Sequence, residues 1–160
     1  MKDPNLYLEI TQQAEALCAD EPDLIANLAN ISALLYERLD NINWAGFYIN
    51  EQAQDQTLVL GPFQGKVACV RIPFGQGVCG SAAAEKQTKL VTDVHAFPGH
   101  IACDAASNSE IVIPIVKEQQ VVAVLDIDSP DLGRFNEDDQ AGLEKLLNLL
   151  ESLNWSFYVK

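Results

Sequence analysis

The chain has 160 residues, of which 48% are hydrophobic and 21% are charged. This composition is typical of one globular domain, residues 1–160, and excludes a disordered chain. The formal net charge is -13, which argues against nucleic acid and anionic membranes as partners. No apolar run reaches the roughly 18 residues of a membrane span, and the N-terminus lacks the apolar core of a secretory signal. We therefore expect a cytoplasmic protein.

The N-terminal part of the chain is predicted to form two helices. Ile10, Ala14 and Leu17 are spaced for one face of a helix, and Cys18 is expected to be a small buried side chain beside them. A break at Asp20-Glu21-Pro22 is expected to start a second helix, with the proline in its first turn. Apolar residues at steps of three and four then define a buried stripe: Leu24, Leu28, Ile31, Leu35 and Leu39.

Strand-like runs occupy the middle of the chain, and a last helix closes it. The long segment from Phe74 to Ser109 is expected to hold a short helix at Gly80–Lys86 and a short strand at Lys89–Val91. Asn136 is suited to cap the last helix, which has a leucine stripe. Since parallel β-α-β alternation is not sustained, the class is α+β with an antiparallel sheet. The predicted strands are Trp44–Ile49, Thr57–Leu60, Val67–Ile72, Glu110–Val116 and Val121–Ile127, and the stripe is Leu143, Leu146, Leu147 and Leu150.

Two carboxylates lie on one face of the most hydrophobic predicted strand. Side chains alternate along a strand, so Asp126 and Asp128 point the same way and Leu125 and Ile127 the other way. Two like charges held together cost stability unless a cation, a shared proton or a ligand compensates them. The pair is therefore a candidate functional site.

Three cysteines are candidates for redox chemistry. Cys69, Cys79 and Cys103 are separated by ten and twenty-four residues, without the Cys-x-x-Cys spacing of a structural zinc site. In a reducing cytosol a disulfide between them is more often catalytic than structural. Cys103 has loop-like, polar surroundings in which a nearby base or helix N-terminus can lower the pKa of a thiol. Cys79, in Gly77-Val78-Cys79-Gly80, is equally suited to packing as a small side chain beneath a glycine turn.

The chain resembles the free methionine-(R)-sulfoxide reductases, which are stand-alone GAF domains. The resemblance covers nearly everything from residue 43 to the last helix, and the ordered set of blocks is more specific than any single motif. Its blocks are Asn43-Trp44-Ala45-Gly46-Phe47-Tyr48, Leu60-Gly61-Pro62-Phe63-Gln64-Gly65 with Cys69, Gly75-Gln76-Gly77-Val78-Cys79-Gly80, Asp93-Val94-His95-Ala96-Phe97-Pro98-Gly99-His100-Ile101-Ala102-Cys103-Asp104, Ser109-Glu110-Ile111-Val112 and Leu125-Asp126-Ile127-Asp128-Ser129.

The resemblance implies a GAF-like central antiparallel sheet, with the N- and C-terminal helices on one face and a ligand pocket on the other. It also implies reduction of free L-methionine-(R)-sulfoxide to L-methionine. In this family a thiolate corresponding to Cys103 attacks the sulfoxide sulfur, and the resulting sulfenic acid condenses with a resolving thiol. Cys69 and Cys79 both match family cysteines, and we favour Cys69, which we expect on a strand beside the pocket loops. Thioredoxin resets the enzyme, and no cofactor or metal is expected.

A sulfoxide is a poor electrophile until its oxygen is protonated, so the implied site needs a proton donor near neutral pH. Clustered carboxylates can provide one, because repulsion and desolvation raise at least one pKa. We expect Glu110, Asp126 and Asp128 to share proton donation and binding of the substrate ammonium. Trp44 and Tyr48 share one strand face and are expected to form the apolar wall for the S-methyl group.

The position of Glu110 depends on an irregularity in the sheet. If residues 118–119 form a two-residue hairpin, regular pairing places Glu110 opposite Ile127, on the wrong face for the aspartates. A three-residue turn, or a bulge near Pro114, would place Glu110 opposite Asp128. We therefore expect such an irregularity, or else Glu110 enters the site from the loop before the strand.

Two other functions remain open from the sequence. A GAF module can act as a small-molecule sensor or binding module without catalysis, although this chain has no room for an output domain. His95, His100 and Cys103 also have a spacing from which three metal ligands can be drawn, but the segment shows no fourth ligand. The oligomeric state, including a homodimer, is left open.

Overall fold

The computed structural model describes residues 3–50, 56–101 and 106–158. The stretch from Glu51 to Gln56 is polar and predicts a turn, but apart from Gln56 it lies outside these residues, and so does Cys103. The helices are α1 (Leu6–Cys18), α2 (Leu24–Arg38), α3 (Gly77–Glu85), α4 (Glu137–Glu144) and α5 (Leu147–Ser152), with a 3-10 turn at Val94–Ala96. The strands are β1 (Trp44–Asn50), β2 (Thr57–Gly65), β3 (Arg71–Pro73), β4 (Lys89–Val91), β5 (Ser109–Lys117) and β6 (Gln120–Ser129).

The strands form one antiparallel sheet in the order β3-β2-β1-β6-β5-β4. One apolar cluster packs α1, α2 and the C-terminal helices against one face of this sheet. A second cluster joins the other face to α3 and the segments around it. The predicted α+β class, with terminal helices on one face, is confirmed. Within the described ranges, no helix has both the length and the apolar character needed to cross a membrane.

The N-terminal helices differ from the prediction in two details. On α1 the buried face consists of Ile10, Ala14 and Cys18, whereas Leu17 is 46% exposed. The buried residues are four positions apart, which keeps them on the side of the helix that meets α2. The α2 helix starts after Asp23, whose carboxylate accepts a hydrogen bond from the Ala26 N–H at 2.8 Å. Pro22 therefore precedes the cap rather than lying in the first turn. The whole predicted stripe of α2 is buried.

The C-terminal helix is capped as predicted but is interrupted. Asn136 accepts from the Asp139 N–H, and the Asp139 carboxylate accepts from the Asn136 N–H, which is a capping box. The helix then breaks after Glu144 and resumes as α5. Leu143, Leu146 and Leu150 remain fully buried across the break, and Leu147 is partly buried.

The predicted strand over Val67–Ile72 is wrong for most of its length. Only Arg71–Pro73 pairs with β2, and the residues before it form an irregular connection. Cys69 therefore lies on this connection and not on a strand. The connection leaves Val67 88% exposed, and we explain its shape below from side-chain hydrogen bonds.

The β5–β6 hairpin contains the predicted irregularity. Residues 118–119 form a two-residue turn in which both φ angles are positive, 53° and 67°. A bulge follows, because Ile115 pairs with Ala123 while Val116 pairs with Val121. The extra residue shifts the register by one for the rest of the hairpin.

Candidate active site

A cavity lies on the face of the sheet opposite the terminal helices. Its walls come from the start of α3, from the connection before β3 and from the strands β1, β5 and β6. The side chains predicted to bind substrate all line it: Trp44, Tyr48, Glu110, Asp126 and Asp128. Among the described residues of the wall there is no lysine and no arginine. The cavity therefore favours a cationic group over an anionic one.

Strand register brings the three carboxylates together. Asp126 and Asp128 are on the same face of β6, and Glu110 lies directly opposite Asp128 on β5. This is the register that the bulge produces. Glu110 is 9% exposed and Asp126 is 5% exposed. One oxygen of Asp126, Oδ1, has no hydrogen-bond partner among the described residues, so it is available to a ligand.

Burial sets the protonation of these acids. Desolvation raises the pKa of Glu110 well above its ordinary value, and the neighbouring Asp126 raises it further through its charge and a hydrogen bond. Desolvation likewise raises the pKa of Asp126, with the charge of Asp128 as the next cause. At least one proton therefore stays on the carboxylate cluster near neutral pH.

Cys79 contacts this cluster from the first turn of α3. Its Sγ lies 3.9 Å from Oε2 of Glu110, and potential ligand atoms of Cys79, Glu110 and Asp126 lie within 4.8 Å of one another. Burial raises the pKa of the Cys79 thiol, and the charges of Asp126 and Glu110 add to the effect. Cys79 is therefore held as a thiol, which is a weak nucleophile. The same three side chains are the donor set in the described part of the chain that a metal ion would use.

The two aromatic side chains that line the cavity, Trp44 and Tyr48, belong to a stack of three rings. Trp44 lies 5.8 Å from Tyr48 and 5.1 Å from Phe63, measured between ring centroids. Gly46 lies between Trp44 and Tyr48 on β1, and a Cβ there would come within 2.3 Å of the Cβ of Phe63. A glycine at this position is therefore needed for Phe63 to pack on Trp44. Phe63 supports Trp44 through this stacking contact, which sequence analysis missed.

The described cysteines are in different states. Cys69 is disulfide-bonded, whereas Cys79 and Cys18 are free and buried. Cys69 is half-buried, on the connection that borders the cavity. Cys103 lies outside the described residues, so its role as the attacking thiol stays a prediction.

The histidines are close to the cavity. His100 lines it, and burial and the charge of His95 lower the pKa of His100. His95 Nε2 lies 3.1 Å from Oδ1 of Asn108. Within the described residues neither histidine belongs to a cluster of three potential metal ligands. The sequence indicates His100 as a metal ligand or as a loop histidine that hydrogen-bonds the backbone, and it does not predict a place in the cavity wall. Its place in the wall follows from the return of residues 100–101 onto the start of α3, where Gly77 N–H donates to the Gly99 carbonyl.

Comparisons with known proteins agree with this architecture. The GAF domain family matches residues 26–153. The free methionine-R-sulfoxide reductase of Escherichia coli K12 is 57% identical over 153 residues, which cover 96% of this chain and 91% of the relative. The enzyme of the same name from Saccharomyces cerevisiae is 46% identical over 141 residues, covering 85% and 78%.

Solved structures give the same result. The X-ray structure of the free methionine-R-sulfoxide reductase from Neisseria meningitidis, in complex with its substrate, has a TM-score of 0.89 at 47% identity and covers 94% of this chain and 90% of that chain. The fold and the site thus define a GAF domain with a buried acidic pocket. The chain belongs to the free methionine-R-sulfoxide reductase family of GAF domain proteins. The predicted resemblance, and an enzyme rather than a sensor, are confirmed.

Proposed function

We propose that this protein reduces free L-methionine-(R)-sulfoxide to L-methionine with cysteine thiols as the electron source. The observation that carries the proposal is a disulfide-bonded Cys69 beside a cavity whose buried carboxyl groups retain a proton. A thiol pair supplies two electrons, and a carboxylic acid supplies the proton that a sulfoxide needs before sulfur attack. The reductase relatives support the same reaction.

The first step is attack by the thiolate of Cys103 on the sulfoxide sulfur. Glu110 or Asp126 donates a proton to the sulfoxide oxygen, which gives an adduct with a bond between the Cys103 sulfur and the substrate sulfur. The hydroxyl group then moves to the Cys103 sulfur while that sulfur–sulfur bond and the substrate sulfur–oxygen bond break, and methionine leaves. Cys103 becomes a sulfenic acid, so that its sulfur is oxidised by two electrons while the sulfoxide is reduced to methionine.

The second step is resolution by Cys69. Its sulfur attacks the sulfur of the sulfenic acid, a disulfide forms, and hydroxide leaves with a proton as water. Two observations support Cys69 rather than Cys79. Cys69 is the described cysteine in a disulfide, and the thiol of Cys79 is buried with a raised pKa. We therefore propose Cys103 as the disulfide partner of Cys69.

Recognition of the free amino acid follows from the charge of the cavity. The substrate ammonium would bind the ionised member of the group Glu110, Asp126 and Asp128, and the S-methyl group would lie against Trp44 and Tyr48. No lysine or arginine in the described part of the wall competes for these carboxylates. The unsatisfied Oδ1 of Asp126 supplies one acceptor.

Recycling needs a dithiol that can reach the disulfide. Val67 and Val70 on either side of Cys69 are 88% and 60% exposed, so the disulfide borders an accessible apolar surface. We propose thioredoxin as the reductant, acting in the cytoplasm, where thiols are kept reduced. A small thiol would reach the same disulfide without using the two valines.

A chiral assay tests the proposal. Each epimer of free methionine sulfoxide is supplied separately to the reduced protein with thioredoxin recycling, and methionine is measured by chromatography. We expect the R epimer to be consumed and the S epimer to remain. Equal consumption of both epimers would contradict the proposed stereospecificity, and consumption of neither would leave only a binding module of the GAF fold.

A further inference from the structure

The connection of residues 66–70 is held by hydrogen bonds to its carbonyl groups. Trp44 Nε1 donates to the Lys66 carbonyl at 3.1 Å, and the Leu60 N–H donates to the Val70 carbonyl at 2.9 Å. The hydroxyl of Tyr48 donates to the carbonyl of Cys69 itself, also at 2.9 Å. These three bonds explain why the connection takes a fixed course although it lacks strand pairing.

Tyr48 is a well-held donor. Its backbone pairs with Leu60 on β2 and with Val124 on β6, and its side chain is almost completely buried. Burial and the charge of Asp126 raise the pKa of the phenol, so the hydroxyl keeps its proton. The ring lines the cavity while the hydroxyl reaches out of it to the backbone of Cys69. One side chain thus connects the substrate cavity to the cysteine on its border.

We propose that Tyr48 is a positioning residue for the second thiol step: its hydroxyl holds the backbone of Cys69 so that the Cys69 sulfur meets the sulfenic acid. This inference rests on the proposed function, since it assigns a role within the same reaction. A thiol held beside its target reacts at a high effective concentration, and greater freedom of the cysteine backbone lowers that effective concentration. The hydrogen bond concerns resolution, which follows methionine release, so its loss should separate the two steps.

Tyr48→Phe removes the hydroxyl and keeps the ring. A neutral hydrogen bond corresponds to about a two- to tenfold change in rate. The reduced variant is mixed with free methionine-(R)-sulfoxide without reductant and quenched at a series of times. Methionine is measured by chromatography and the disulfide by mass spectrometry after thiol alkylation. We expect the rate of disulfide formation, divided by the rate of methionine release, to fall about two- to tenfold.

Tyr36→Phe is the matched control, because Tyr36 is exposed on α2. Its ratio should equal that of the unmodified protein. If the ratio in Tyr48→Phe equalled that of the unmodified protein, the inference would be overturned. This includes the case in which methionine release and disulfide formation slow by the same factor, which would place the hydroxyl in substrate binding alone.

A second measurement does not need the sulfoxide. The disulfide is equilibrated with a fixed mixture of reduced and oxidised glutathione, and its reduced fraction is counted by mass spectrometry. The reduced fraction of the disulfide should be larger in Tyr48→Phe than in Tyr36→Phe. A cysteine whose backbone is held less firmly forms the disulfide less readily. Identical fractions would contradict the inference. If the unmodified protein released no methionine, the proposed function would fail while this equilibrium still decided the role of Tyr48.

Discussion

Glu110 on β5 lies directly opposite Asp128 on β6, because a bulge at Ile115 and Val116 shifts the register of a hairpin that a two-residue turn alone would misplace. Without the bulge, regular pairing would set Glu110 against Ile127, whose side chain belongs to the core beneath the helices. A backbone irregularity about five residues from the site thus assembles the carboxylate cluster. The cluster is the origin of two predictions.

The first prediction concerns stability and pH. Burial raises the pKa of Glu110 in the folded protein, so the folded state keeps a proton that the unfolded chain releases as the pH rises. The contribution of protonated Glu110 to the free energy of unfolding should therefore be fully present below the ordinary carboxyl pKa, about 4, and should be lost as the pH rises through the folded pKa. Glu110→Gln cannot ionise and should show a shallower fall, measured by urea denaturation between about pH 5 and about pH 9.

The control for this prediction is Glu37→Gln, at an exposed position on α2. Its stability should follow the pH dependence of the unmodified protein. Parallel curves for Glu110→Gln and the unmodified protein would show that Glu110 is not a protonated acid in the folded state.

The second prediction concerns the amino-acid end of the substrate. The N-acetyl amide of methionine-(R)-sulfoxide lacks the positive charge that the carboxylates would bind. Loss of a charge-assisted hydrogen bond costs roughly 1.5 to 3 kcal/mol, so kcat/KM should fall at least about tenfold to a hundredfold. In Asp126→Asn the discrimination between the two substrates should shrink. Comparable kcat/KM values in the unmodified protein would remove the assignment of the carboxylates to the ammonium.

The third prediction concerns the reductant. Val67→Ser combined with Val70→Ser makes the surface beside Cys69 polar. Loss of this apolar contact should weaken the binding of a protein reductant more than the reaction with a small thiol. The ratio of thioredoxin-supported to dithiothreitol-supported activity should fall by about tenfold. Leu132→Ser is the control, since Leu132 is 64% exposed on the loop between β6 and α4. If both variants kept the original ratio, the two valines would not contact the reductant.

The sequence predicts the parts of this structure that local patterns determine. The stripe of α2 and the capping residue Asn136 are where they were expected, because apolar spacing and capping act within one helix. The sequence also predicts an irregularity in the β5–β6 hairpin. Side chains alternate between the two faces, so a two-residue turn at 118–119 with regular pairing would put Glu110 on the face opposite the aspartates.

The missed parts depend on distant contacts. Val67–Val70 has strand-like composition, but side chains of Trp44 and Tyr48 take two carbonyls of this connection, and such long-range hydrogen bonds leave no local signal. The stacking of Phe63 on Trp44 also depends on a neighbouring strand. The break after Glu144 interrupts a stripe whose period continues across it. The sequence pattern therefore gives no signal that the helix ends at Glu144.

The fourth prediction tests the central claim, that Cys103 attacks and Cys69 resolves. Each reduced variant is mixed with free methionine-(R)-sulfoxide without reductant, and products are counted by chromatography and mass spectrometry. Cys103→Ser should release no methionine. Cys69→Ser should release about one methionine per site and stop at a sulfenic acid, because attack precedes resolution. Cys18→Ser, a change of the buried thiol on α1, should release methionine and form the disulfide. A normal intramolecular disulfide in Cys69→Ser, cycling with thioredoxin, would make Cys79 the resolving residue and contradict the account.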